Sequence, residues 1–276
     1  MTEQSVADGL QLESIETFHR RLAELVRRVK EHPESIGGIN EGLQHLIEAK
    51  YESIESHTAA AIMGKNFFGT EEWRAHYGVS FTPAQFKSSL TFPWSLKTLF
   101  GPCPFFEGKK VYETHCAFLG VEKYNGPIQN AQGALNICGW HRVHNPAHLL
   151  PWFKDRSPDA WFLDEEFALV PLQPKWYLAL VRPVLGSFGK SWAEMEQMIP
   201  EGYEMPSAIE ELTKVLIYHR RYQRYYVNDS LGATRSLTRD GDHVVLGGYE
   251  SGVLIKYWDG DAKFSPKLSL FRKPKT

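Results

Sequence analysis

The chain has 276 residues and a formal charge of −2 at pH 7, enough length to bury a sizeable core in one large domain or two small ones. So even a charge balance argues against a strongly electrostatic nucleic-acid binder. Aromatic residues make up 13% of it, which separates it from disordered chains, and three cysteines do not make a disulfide framework.

No apolar run approaches the roughly 18 residues of a membrane span. The first residues, MTEQSVADGLQLES, are polar where a signal peptide is apolar. The expectation is a cytoplasmic protein without membrane insertion, its thiols kept reduced; association with a virion is the alternative setting.

Residues 1–58 read as a helical hairpin. Ile15, Phe18, Leu22, Leu25, Val26 and Val29 recur at helical spacing. Pro33 and Gly37-Gly38 break the pattern, and a second helix is predicted from Asn40 to about His57, with Leu43, Leu46, Ile47, Tyr51 and Ile54 inward. The pairs Arg20-Arg21 and Arg27-Arg28 are interleaved with Glu16, Glu24 and Glu31, as on a solvated helix face.

Residues 59–150 form a mixed, aromatic-rich region in which Phe67, Phe68, Trp73, Tyr77, Phe81, Phe86, Phe92, Trp94 and Phe100 are candidate core. Gly69-Thr70-Glu71-Glu72 and Thr82-Pro83-Ala84 look like helix starts. Gly64-Lys65 lacks the glycine spacing and the Ser/Thr of a phosphate-binding loop. Strands are predicted at Cys116–Val121 and Ala134–Cys138. Cys103, His115, Cys116, Cys138, His141, His144 and His148 are the residues here able to carry chemistry. Cys138-x-x-His141-x-x-His144 has metal-like spacing, and zinc takes four thiolate or imidazole ligands. The alternative function is therefore a zinc- or thiol-dependent enzyme centred on Cys138, His141 and His144, with a Cys116/His141 nucleophile pair as its thiol form.

Residues 151–276 hold a central strand at Lys175–Val181 and two helices opened by Ser-x-x-Glu capping boxes at Ser191 and Ser207. The second is predicted to run to about Tyr222 with Ile209, Leu212, Val215, Leu216 and His219 inward. The chain then ends in short strands, LTRDGDHVVLGGYESGVLIKYWDGDAKFSPKLSLFRK. Asp240-Gly241 and Asp259-Gly260 suit tight turns, and a final strand is predicted from Lys267 to Phe271. Gly248, Tyr249, Glu250, Leu254, Lys256, Tyr257, Trp258, Asp259, Asp261, Lys263 and Phe264 mix aromatic and charged side chains as a recognition surface does.

In its order of Asp-Gly, strand, Gly247-Gly248, Gly252-Val253 with a strand, Trp258-Asp259 and a closing Leu-x-x-x-Arg-Lys, this ending resembles the variable proteins of diversity-generating retroelements. The resemblance covers about the last seventy residues best. It implies an α+β protein with a C-type-lectin-like C-terminal domain over 151–276. It also implies a function: binding another protein or other macromolecular ligand, without a cofactor, through a diversified face on the eleven residues just named. A structural or viral accessory protein is the third reading.

Overall fold

The computed structural model describes residues 53–126, 133–144, 153–155, 157–223, 231–249, 252–260 and 266–274. The expected N-terminal hairpin lies almost wholly outside them. Its last residues do not continue a helix. Ile54–Glu55 is a short strand (β1) paired with Phe92 and Thr91, and a new helix, Ser56–Met63 (α1), follows. The Ser56 amide donates to the Leu90 carbonyl at 2.7 Å, a tertiary bond that interrupts the helical period.

Phe67–Phe68 (β2), Thr70–Tyr77 (α2), Pro83–Ser89 (α3), Thr91–Phe92 (β3), Leu96–Phe100 (α4) and Val111–Thr114 (α5) come next. Both predicted helix starts are present. Glu72 accepts from the Gly69 amide at 2.8 Å to open α2, and Thr82 and Gln85 cap each other's amides to open α3. Phe86 on α3 and Phe100 at the end of α4 do not meet the expectation of core, being 45% and 50% exposed. His115–Leu119 (β4), Lys123–Tyr124 (β5) and Gly133–Ala134 (β6) are strands. The strand expected over Ala134–Cys138 stops at Ala134. Asn136 turns the chain into a helix, Ile137–His144 (α6), because its side chain accepts from the Gly139 amide at 2.8 Å and its carbonyl from the Trp140 amide. An asparagine cap outweighs a short apolar run.

The remaining elements are Glu166–Leu169 (α7), Trp176–Leu180 (β7), Trp192–Gln197 (α8), Tyr203–Glu204 (β8), Ala208–Tyr222 (α9), Gly232–Leu237 (β9), His243–Tyr249 (β10), Gly252–Trp258 (β11), Lys267–Leu268 (β12) and Phe271–Arg272 (β13). Together they make an α+β fold. A five-stranded sheet has the order β2-β4-β7-β13-β8, and a four-stranded sheet the order β11-β10-β9-β12. β4 pairs with β7 from His115↔Leu180 to Leu119↔Trp176, so the expected boundary at 150/151 falls within one sheet. The final strand also differs from expectation. Lys267 and Leu268 pair with β9, whereas Phe271 and Arg272 pair with β7 and β8. Ser269 and Leu270 are buried between the two, and the chain crosses there from one sheet to the other.

α9 is the axis of the core. Ser191 and Ser207 open α8 and α9 as predicted, their amides donating to Glu194 at 2.8 Å and Glu210 at 2.7 Å. α9 ends at Tyr222, and Gln223 takes a left-handed conformation to close it. The expected inward residues are buried, but so are Glu210, Glu211, Thr213 and Lys214. A helix buried all round is a core helix. Glu211 accepts from Ser269 at 3.0 Å, and Lys214 lies over the Phe271 ring of β13 and pairs with Glu211 at 2.7 Å. Gly232 of β9 is where the sheet meets that carboxylate: a Cβ there would lie 2.8 Å from Glu211 Oε1 and 2.7 Å from Ser269 Oγ.

Candidate functional site

The expected recognition residues lie on or beyond the β10–β11 hairpin, whose register runs from His243↔Trp258 to Tyr249↔Gly252. Side chains alternate between the faces of a strand. Val244, Leu246, Val253 and Ile255 therefore share one face and belong to the core around α9. Val245, Leu254 and Trp258 share the other and pack with Met195, Leu231 and Leu268. Both faces are covered along most of the hairpin's described residues, and toward its open end Lys256 and Tyr257 are wet.

That pattern corrects the expected single recognition face. Trp258 is 4% exposed and anchors the core; Gly248 is buried and Leu254 half-buried. Lys256, Tyr257 and Asp259 are exposed, yet Lys256 and Tyr257 are consecutive on β11 and leave from opposite faces. The side chain of Tyr249, and Glu250, Asp261, Lys263 and Phe264, lie outside the described residues.

What gathers Lys256 and Tyr257 is the sheet edge. β11 is the outer strand of its sheet. Phe153 bridges it at Val253, and the Lys154 amide donates to the Val253 carbonyl at 2.8 Å. Beyond Val253 no other strand pairs with it among the described residues. A depression of about 380 Å³ opens there, lined by Trp161, Val245, Lys256, Tyr257, Trp258 and Pro266. Tyr257 is 62% and Trp161 38% exposed, and their rings meet edge to face at 5.7 Å. Arg239, in the β9–β10 turn, holds the Trp161 turn in place. Its amide donates to Glu165 at 2.8 Å and its guanidinium to the Asp164 carbonyl at 3.0 Å.

Trp161 and Pro266 were not identifiable from sequence. Trp161 is almost a hundred positions from Tyr257, and only the Ser157-Pro158-Asp159 turn before it marks a surface bend. Behind the depression, His243 stacks on Trp192 at 3.4 Å between ring centres, and Trp258 packs against both. Trp258 Nε1 and His243 Nδ1 are buried and meet no hydrogen-bond partner among the described residues.

Among the described residues, which leave out His148, the cysteine–histidine alternative does not assemble. Cys138, His141 and His144 share α6, but they face different neighbours. The Cys138 thiol points to the Leu163 carbonyl at 3.5 Å. His141 meets the Asp155 carbonyl at 3.1 Å between Phe153 and Phe162. His144 lies against Tyr77 and Trp140. Among the described residues no group of three or more His, Cys, Asp or Glu is placed to hold a metal ion. Burial raises the pKa of the Cys138 thiol and pushes that of Cys116 up to about 12, the wrong direction for a nucleophile. Cys116 is buried in β4 and pairs across to Ala179, away from the surroundings of His141.

A buried polar chain runs elsewhere. Arg272 donates to the Tyr203 hydroxyl at 2.9 Å, and that hydroxyl meets His115 Nε2 at 3.1 Å. His115 Nδ1 lies 3.1 Å from the Val111 carbonyl. The Thr114 hydroxyl is nearer still, 2.9 Å from Nδ1, but it donates its proton to the Lys110 carbonyl at 3.1 Å. Both Nδ1 neighbours therefore accept, so Nδ1 carries the proton and Nε2 accepts from Tyr203. Burial takes the His115 pKa down to about 3, which keeps this imidazole neutral in the fold.

No helix among the described residues is long and apolar enough to cross a membrane. Compared with protein-family models, with curated proteins and with solved structures, the chain matches none.

Proposed function

We propose that this is a ligand-binding protein of the variable-protein type, its C-terminal half a C-type-lectin-like scaffold and its ligand another protein. The observation that carries the reading is the aromatic pair Trp161–Tyr257 at the mouth of the 380 Å³ depression. Exposed Tyr and Trp give large contact area at low entropic cost and dominate protein-binding surfaces. Lys256 and Asp259 flank them and set charge complementarity. The edge of β11 beyond Val253, which no other strand pairs among the described residues, adds backbone groups for an extended segment of the partner.

The division of β11 also supports it. Val253, Ile255 and Trp258 are buried while Lys256, Tyr257 and Asp259 are wet, so the tip can vary without touching the core. The diversified set is then smaller than the eleven expected positions and excludes Gly248, Leu254 and Trp258.

The test is a displayed library randomised at Trp161, Lys256, Tyr257 and Asp259, sorted for binding to one immobilised protein. The expected result is a set of folded variants that bind that protein, and whose binding is lost when the selected residues revert. Recovery of no binders, or of binders whose affinity survives reversion at all four positions, would refute the placement of the site.

A further inference from the structure

The loop between β7 and α8 carries the two most exposed large apolar side chains among the described residues, Leu185 at 71% and Phe188 at 63%. Val184-Leu185-Gly186-Ser187 and Ser187-Phe188-Gly189-Lys190 are tight turns in tandem that share Ser187. Gly186 and Gly189 have φ of +76° and +79°, as the third position of a type II turn requires. Leu185 and Phe188 therefore hold the same place, the second, in successive turns.

The base of this double turn is fixed. Ser187 is fully buried, and its hydroxyl donates to the Val184 carbonyl at 2.7 Å while accepting from the Leu268 amide of β12 at 2.9 Å. The Val184 amide donates back to the Leu268 carbonyl at 3.0 Å, and Val184 packs in the cluster with Met195, Leu231 and Leu268. The tip stands clear: a Cβ placed on Gly186 or Gly189 would meet nothing within 4 Å. A buried serine and two left-handed glycines thus hold an apolar pair out into water, where apolar surface is unfavourable unless something covers it.

Charged groups flank the pair. Arg182 enters the loop and lines a depression with Lys65, Lys109 and Glu113. Glu113 meets Lys109 at 3.4 Å, and Lys190, which leaves the loop, meets Glu194 at 2.9 Å.

We propose that this double turn anchors the protein to an anionic membrane surface. Leu185 and Phe188 enter the boundary between headgroups and acyl chains, and Arg182 and Lys190 lie at headgroup level. Apolar tips on a cationic base are the composition of interfacial anchors. Protein-binding surfaces are instead depleted in Lys, and Leu is uncommon among their dominant contacts. A fluid bilayer also covers both tips without a matching socket. This docking seats two side chains and spans nothing. It uses no residue of the β11 depression and does not depend on the protein-binding reading.

Sedimentation with vesicles of phosphatidylcholine and phosphatidylserine, about 3:1, tests it. About half of the protein is expected to pellet at a lipid concentration below about 2 mM. Leu185→Ser and Phe188→Ser should each weaken binding about fivefold or more, and the double variant should remove it. The melting temperature should not change, because both side chains are wet. Arg182→Gln, or salt raised to about 0.5 M, should weaken binding about threefold, and Tyr257→Ala should bind as the parent does. The proposal fails if no protein pellets at about 5 mM lipid, if phosphatidylcholine alone binds as tightly, or if the double variant binds like the parent. It fails also if the double variant loses self-association rather than vesicle binding, which would give the tips to a second copy of the chain.

Discussion

Trp258 and Tyr257 are neighbours with opposite roles. Trp258 is sealed between Trp192, His243 and the apolar residues Met195, Leu231 and Leu268, so Trp258→Ala should cost about 3–5 kcal/mol. Tyr257→Ala removes an exposed ring and should stay within about 0.5 kcal/mol of the parent. Urea unfolding of the two variants checks this contrast. Their chemistry was legible in the sequence, but not which of them was wet. Alternation says only that neighbours face opposite ways; which face is covered depends on α8 and on the 161–164 turn, both remote in sequence.

His115 adds a pH dependence at the same scale. Its pKa is about 3 in the fold against an ordinary value near 6.5, so between those values the unfolded chain binds the extra proton and the native chain does not. Stability is then full above about pH 6.5 and falls as pH drops toward about 3. Burial lowers His76, His141, His219 and His243 in the same direction, steepening the loss. Chemical denaturation as a function of pH should show this fall. Tyr203→Phe should cost about 1–3 kcal/mol at neutral pH, because it strips the buried His115 Nε2 of its donor.

Among the elements, α9 depends on an ion pair with no access to water. Glu211 and Lys214 are 0% and 1% exposed. Removing the lysine leaves a buried carboxylate without this counter-charge, so Lys214→Met should destabilise by about 3–5 kcal/mol. Replacing both with apolar residues of similar volume should recover much of that loss. Gly232→Ala acts on the same spot from β9. Its new methyl meets Glu211 and Ser269 inside van der Waals distance, and thermal unfolding should show a drop that Ser269→Ala partly relieves. α9's caps and length were legible in sequence because Ser207, Glu210 and the apolar period are local signals. Its buried charges were not, since a Glu–Lys pair three residues apart also suits a wet helix face. The cap at Asn136 is hidden for the converse reason: a local cap signal lies inside an apolar run that resembles a strand.

For the molecule as a whole, the α+β class and the longer elements β4, β7, α9, β10 and β11, with the capped starts of α2, α3 and α8, could be read from turn chemistry and periodicity, whereas most of the two- to five-residue elements between them could not. The joining of 59–150 to 151–276 through β4 and β7 could not, because strand pairing across some sixty residues leaves no local trace. The candidate site divides the same way. Lys256, Tyr257 and Asp259 came from sequence, whereas Trp161 came from the fold. The central claim is that β11 is a fixed strand bearing an exchangeable tip. A saturation library over residues 252–258, displayed and sorted for the folded state, tests it most directly. Lys256 and Tyr257 should accept nearly every amino acid, while Val253, Ile255 and Trp258 should retain only large apolar residues. Equal tolerance across the strand, or intolerance at Lys256 and Tyr257, would contradict it.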